Sequence, residues 1–420
     1  MKKRWFVIIA IIFFMAVQVI SSVVNKHNDT KKEVVFMNNF CLISDKLDEY
    51  KNEFERLHPD ISVKNECIGD NYETICSYRL NAGNAGDVMV VPSSMNISYY
   101  KDYYEPLGTL DEFSKKYRFV DVKSIDNMVY TIPTDISISG GIMYNVEVLK
   151  KAGISEIPQN CDEFINAMRA IKNKVNLVPL YINSSENEQL KAWNSIVYTE
   201  SGDPNYNEKF AQSNYLFKED NSYYDVYKLL YTCINEKLVE DDYLTSKWNE
   251  GLSLFKSGEV GAVVVDYDEY LNVKNQCENQ DSIIYVPFLS KQNSKCLYID
   301  IVNGLAINIE SKYKEEARMW LDFLLNDTDF FSEAGDSGML YNNDDLDSIK
   351  RINSDGIEVV YPKEKNQDVL GIFEKRDNDS ALGMTNGTFT ANLINNAVFE
   401  DKSYDDFCDE WNKAWEKSNE

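Results

Sequence analysis

The stretch SDKLDEYKNEFERLHPDISVKNECI, residues 44–68, sets the reading of everything around it. Leu47, Tyr50, Phe54 and Leu57 recur at i, i+3, i+7 and i+10. That is the spacing of one helix face, so a helix is predicted from Ser44 to His58. Pro59 stops it, because a proline ring cannot continue an α-helix. Behind the stop, Ile61 to Ile68 reads as a strand. On the other side, Glu33 to Met37 reads as a strand leading into a polar loop at Asn38 and Asn39. Tyr72 to Leu80 is predicted as a short helix, and Val88 to Val91 as a buried strand ending at Pro92. Strand, helix, strand, helix, strand implies a parallel sheet covered by helices.

The α/β pattern continues along the chain. Val129 to Pro133, Val178 to Tyr181 and Gly261 to Val265 read as strands. Asn160 is a predicted N-cap with Glu163 at the third helical position, and its helix buries Phe164, Ile165, Met168 and Ile171. Ser311 opens a helix that carries Tyr313, Ala317, Trp320, Leu321 and Leu324 on one face. The last helix starts near Ser403 and buries Tyr404, Phe407, Cys408, Trp411 and Trp415.

At 420 residues the chain is long enough for two domains, since single cores stop growing near about 250–300 residues. A formal charge of −26 repels nucleic acid, and that class of partner is set aside. Lys2, Lys3 and Arg4 precede an apolar run from Trp5 to about Val24, which suits either an export signal or a spanning anchor. With the basic flank inside, everything after Asn25 is expected outside the cytoplasm. The first cysteine, Cys41, lies too far beyond the run to serve as a lipidated first residue. None of the eight cysteines shows C-x-x-C spacing, so a zinc ribbon or thioredoxin-type site is not expected. Disulfides are possible outside the membrane, with Cys67 and Cys76 the nearest pair in sequence; pairing stays open at this level. Cys161 and Cys408 read as buried small hydrophobes.

Six blocks now stand in a recognisable order. They are residues 50–63 (YKNEFERLHPDISV), 80–88 (LNAGNAGDV), 127–133 (NMVYTIP), 141–155 (with Tyr144-Asn145), 254–262 (LFKSGEVGA) and 303–307 (NGLAI) before a helix. In this order the chain resembles the extracellular solute-binding proteins of carbohydrate-type ABC importers, the maltose-binding-protein-like group. The resemblance implies a two-lobed, periplasmic-binding-protein-like α/β fold (a Venus flytrap) with crossing hinge strands, preceded here by the N-terminal apolar helix. By that analogy residues 1–24 are signal or anchor and 25–32 a linker. Residues 33–136 with 301–340 would form the N-terminal lobe, and 137–300 with 341–420 the C-terminal lobe. Crossings near Thr134–Ser139 and Asp300–Gly304 would act as the hinge. The implied function is capture of a small solute, a sugar or oligosaccharide, in an interlobe cleft and delivery to an ABC permease. An alternative is a membrane-anchored sensor subunit, and a further one a secreted acidic glycosidase.

Ligands of such folds lie at the carboxyl ends of strands. Candidates at those positions are Asn38, Asn39, Ser93, Ser94, Asp135, Tyr181, Asn183, Asp266, Tyr267 and Asn303, whose amides, hydroxyls and carboxylates match sugar hydroxyls. Trp193 matches a tryptophan common in the family. The family's glycine-x-tryptophan after the Gly261–Val265 segment is replaced here, with Tyr267 at the glycine and Glu269 at the tryptophan. Tyr267 is therefore the expected ring for a sugar, or else the acidic groups select a smaller or cationic solute. Enzyme chemistry is not expected. The two histidines, His27 and His58, lie in the linker and at a helix end, and no nucleophile, metal or cofactor motif appears.

Overall fold

A computed structural model describes residues 31–69, 71–92, 95–185, 187–288, 295–301, 303–334, 347–363, 367–384 and 388–419. The predicted N-terminal apolar helix lies outside them. Among the described residues no helix is long and apolar enough to cross a membrane.

Besides a short pair, Gly108–Thr109 with Met128–Val129, the strands along the chain are β1 (Lys32–Asn38), β2 (Ile61–Cys67), β3 (Val88–Val90), β4 (Ile132–Pro133), β5 (Ile136–Ser139) and β6 (Gly141–Asn145). There follow β7 (Val178–Tyr181), β8 (Val260–Val265), β9 (Ile283–Pro287), β10 (Cys296–Ile301), β11 (Gly304–Ile307) and β12 (Glu358–Val360). Contacts divide the chain into two compact units. The first takes the described residues up to Gly108, then Met128–Thr134 and 303–334. The second takes Thr109–Asn127, 135–301 and the described residues from 347 onward.

The first unit is a five-stranded sheet in the order β2-β1-β3-β11-β4. Its β1, β2 and β3 run parallel, as the sequence predicts, whereas β11 joins antiparallel to both β3 and β4. The helix Ser44–Leu57 buries Leu47 and Phe54 against this sheet, whereas Tyr50 is half-buried and Leu57, on the same predicted face, is exposed. Phe54 meets the ring of Trp320 at 5.1 Å, and Trp320 meets Phe36 at 6.2 Å. That aromatic stack joins helices Ser44–Leu57 and Lys314–Asn326 to β1, and removing the fully buried Trp320 would cost about 3–5 kcal/mol. The second helix begins two residues later than predicted. Ser311 spends its hydroxyl on Asp87 at 2.6 Å, and Tyr313 stands at the cap position.

The second unit holds a four-stranded sheet, β9-β6-β8-β7, and a three-stranded sheet, β12-β10-β5. Both are mixed, since β6 runs antiparallel to β8 and β9, and β5 antiparallel to β10. The predicted cap closes as expected, and the last helix starts where the sequence places it. Asn160 accepts the Glu163 N–H at 2.9 Å, and Ser403 forms a full capping box with Asp406. The Glu163 carboxylate accepts the N–H of Gln159 at 2.7 Å and the side-chain amide of Asn160 at 2.8 Å, instead of the Asn160 backbone N–H.

Two sequence boundaries change. The Val129–Pro133 strand is two pieces, Met128–Val129 and Ile132–Pro133, in different sheets. Thr109–Asn127 groups with the second unit, although the sequence boundaries put it in the first. The reason is packing: Val122 is buried with Ile136, Ile299 and Ile301, and Lys123 donates to the Ile301 carbonyl at 3.5 Å.

Candidate ligand-binding site

In the first unit the loops to consider follow β1 and β3. Asn38 is fully buried and its amide is used locally. It donates to Asn65 Oδ1 at 2.8 Å and to the Phe36 carbonyl at 3.2 Å, while its oxygen accepts the Phe40 N–H at 3.0 Å. Asn38 therefore shapes the loop, and its neighbour Asn39 is the exposed member of the pair. The parallel register sets Asn38 opposite Cys67. That brings Cys41 to Cys67, and the two form a disulfide with Cα atoms 5.5 Å apart. Cys76, nearer to Cys67 in sequence, is instead a buried thiol pushed up to about 11 by desolvation. Tyr72 ties the strand ends together by donating to the carbonyls of Val90 at 2.6 Å and Met37 at 3.1 Å. Ser93 and Ser94 lie outside the described residues. Asn303 is half-buried, and its carbonyl accepts the Thr134 N–H at 3.0 Å where the chain passes between units.

In the second unit three carboxylates collect. Asp266 follows β8 and caps the helix Tyr267–Gln276 by accepting the Glu269 N–H at 2.8 Å. Burial raises its carboxyl, partly offset by the backbone bonds it accepts. Asp268, in the first turn, is exposed, yet desolvation and the like charges of Asp266 and Asp135 push it up to about 6. Asp135, just before β5, is half-buried. Acidic groups at a helix N-terminus suit its partial positive charge, which helps this unit carry them.

Several sequence candidates have buried side chains. The Tyr267 ring, expected to face a sugar, is only 2% exposed. It packs with Tyr285 at 5.5 Å and Tyr270 at 5.6 Å, because the helix it opens turns that ring inward onto β8 and β9. Tyr181 donates its hydroxyl to the Lys247 carbonyl at 2.9 Å. Its ring lies so close to Gly251 that a Cβ there would come within 2.1 Å. Asn183 is fully buried with φ +41, and its N–H donates to Glu240 Oε1 at 2.8 Å. Trp193 is buried edge-on to Phe288 at 6.2 Å in the large helical core. Residue type at a strand end does not reveal which way a side chain turns, and these four turn inward.

The sequence reading missed two kinds of group. Glu240 is buried and accepts the N–H of Ile182 at 3.0 Å and of Asn183, so it sets the loop after β7. Asp268 was hidden in a run of acidic residues. Among the described residues no cluster of His, Cys, Asp and Glu is arranged to hold a metal ion. What the exposed and half-exposed groups offer is hydrogen bonding to a polyhydroxylated ligand, with carboxylates as strong acceptors.

Residues 43–329 match the family model for bacterial extracellular solute-binding proteins. The chain is 25% identical over 213 residues to the melibiose/raffinose/stachyose-binding protein MelE of Bacillus subtilis, a match that spans about half of each chain, 49% in both cases. Its fold is similar to BlMnBP1, an ABC-transporter binding protein of Bifidobacterium animalis subsp. lactis solved with mannobiose. The TM-score is 0.75 and the identity 27%, over 93% of this chain and 95% of that one. The manno-oligosaccharide-specific BlMnBP2 of the same organism, solved with mannotriose, gives 0.75 and 26% over the same shares. The chain belongs to the bacterial extracellular solute-binding protein family.

Proposed function

We propose that this chain is an extracytoplasmic receptor that captures an oligosaccharide without altering it and delivers it to an ABC-type permease. The observation that carries this reading is the likeness, over nearly the whole chain, to a binding protein solved with mannobiose. In the second unit Asp135 and Asp268 accept sugar hydroxyls, and in the first Asn39 donates and accepts. Passage of the chain between units at 134/135 and again near 303 supports hinged crossing strands. The basic-flanked apolar start, Lys2 to about Val24, supports a membrane tether on the outer face. A thermal-shift screen tests the receptor reading. A bound sugar raises the melting temperature as RT ln(1 + [L]/Kd), so manno-oligosaccharides or α-galactosides should shift it while amino acids and polyamines should not. A shift with cationic solutes alone would overturn it.

A further inference from the structure

We propose that Tyr361, backed by Phe119, is the aromatic platform on which the second unit stacks a sugar ring; this rests on the receptor reading above. The expected platforms are withdrawn, since Tyr267 and Trp193 are buried and Glu269 occupies the place where the family has a tryptophan. Tyr361 is 42% exposed and directly follows β12. Its ring stacks on Phe119 with centroids 6.0 Å apart and planes at 26°, so one face is backed and the remainder of the ring meets solvent.

Phe119 holds φ at +59, a left-handed conformation that bulky side chains rarely adopt and keep only where the surroundings impose it. The surroundings here are Val122, buried with Ile136 and Ile301, and Lys123 on the Ile301 carbonyl. A strained aromatic is thus fastened at the end of the three-stranded sheet, under an exposed tyrosine. Strand register locates that end. Val360 is level with Tyr298 of β10, and Ile301 of β10 is level with Ile136 of β5, next to Asp135. The ring and Asp135 therefore lie toward the same end of one sheet, two strand spacings (about 10 Å) apart across it and three residues (about 10 Å more) apart along it. Asp268, whose carboxyl senses Asp135, completes the set.

A sugar ring has an apolar C–H face and a hydroxyl rim. A tyrosine face with a carboxylate about 14 Å away in register fits both, and the span suits a trisaccharide or longer chain rather than a monosaccharide. Tyr215 and Phe399 are further exposed aromatics of this unit among the described residues. Neither follows a strand, and Tyr215 has Lys218 over its ring at 5.2 Å.

The test is calorimetric titration of the whole protein with mannobiose, mannotriose, melibiose, raffinose and stachyose, repeated for Tyr361→Ala and Tyr361→Phe. Tyr361→Ala is expected to weaken the best sugar by about tenfold or more, the effect of losing one stacked ring, with the ligand-free melting temperature lowered by no more than a few degrees as the Phe119 contact is lost. Tyr361→Phe, which keeps the ring, should recover most of that loss. Unaltered affinity in Tyr361→Ala, with the parent still binding, overturns the platform alone. No binding of any of these sugars by the parent overturns the receptor reading, and the platform with it.

Discussion

Cys41 is covalently joined to Cys67, which ties the loop after the first strand to the end of the second at the face where Asn39 is exposed. The bond closes a stretch of 26 residues in sequence separation. Such a closure restricts the unfolded chain and is worth about 3.5 kcal/mol in the loop-entropy account. Cys41→Ser with Cys67→Ser should lower stability by about that amount in denaturant melts. Reductant should destabilise the parent and leave the double variant unmoved; equal sensitivity of both would refute the assignment.

Glu240 tells how the loop after β7 keeps its shape. Its carboxylate takes two backbone N–H groups, those of Ile182 and Asn183, and the Ser246 hydroxyl at 3.2 Å, all in the interior. Glu240→Ala strands those donors, and unpaired buried groups cost about 1–3 kcal/mol each. A loss of about 3 kcal/mol or more in urea unfolding is expected. A change under about 0.5 kcal/mol would show that the loop does not depend on it.

Arg376 is buried with its guanidinium over the Trp415 ring at 4.3 Å. It donates to the carbonyls of Ala211 at 2.9 Å, Ser213 at 2.8 Å and Trp415 at 2.6 Å, drawing the loop at 210–213 onto the last helix. One planar fork serves carbonyls on two segments, which a lysine ammonium cannot reproduce. Arg376→Lys should therefore destabilise nearly as much as Arg376→Met, by about 2–4 kcal/mol, read by thermal or chemical unfolding. Full rescue by lysine would contradict this.

The Asp268 carboxyl is raised to about 6 in the folded protein, above its ordinary value. A raised acid favours the folded state while protonated. Its contribution is thus present below about pH 4 and lost as pH rises through about 6. Melting temperatures measured from pH 4 to 7 should fall less steeply for Asp268→Asn than for the parent. Superimposable profiles would mean that Asp268 does not share the field of Asp135 and Asp266.

Much of the frame was legible because apolar spacing survives into packing. Leu47 and Phe54 are buried on the predicted face, Asn160 caps where expected, and the last helix starts behind Ser403. The blocks that carry the family resemblance are short helix–turn–strand units of that kind. The candidate site was less legible. Asn38, Tyr181, Asn183 and Tyr267 have the right chemistry at the right strand ends, but their side chains are taken up by Asn65, Lys247, Ser185 and the Tyr270–Tyr285 pair. Tyr361 and Phe119 went unnoticed because their pairing joins segments far apart in sequence and depends on a positive φ that no residue type announces. Thr109–Asn127 was misassigned for the same reason, since Val122 finds its core only in three dimensions.

The most direct measurement is isothermal titration of the purified extracytoplasmic part with manno-oligosaccharides and α-galactosides at neutral pH. Saturable one-to-one binding of at least one of them, at about micromolar Kd or tighter, is the predicted result. Absence of heat with every sugar, together with release of a smaller product from any of them, would contradict the account.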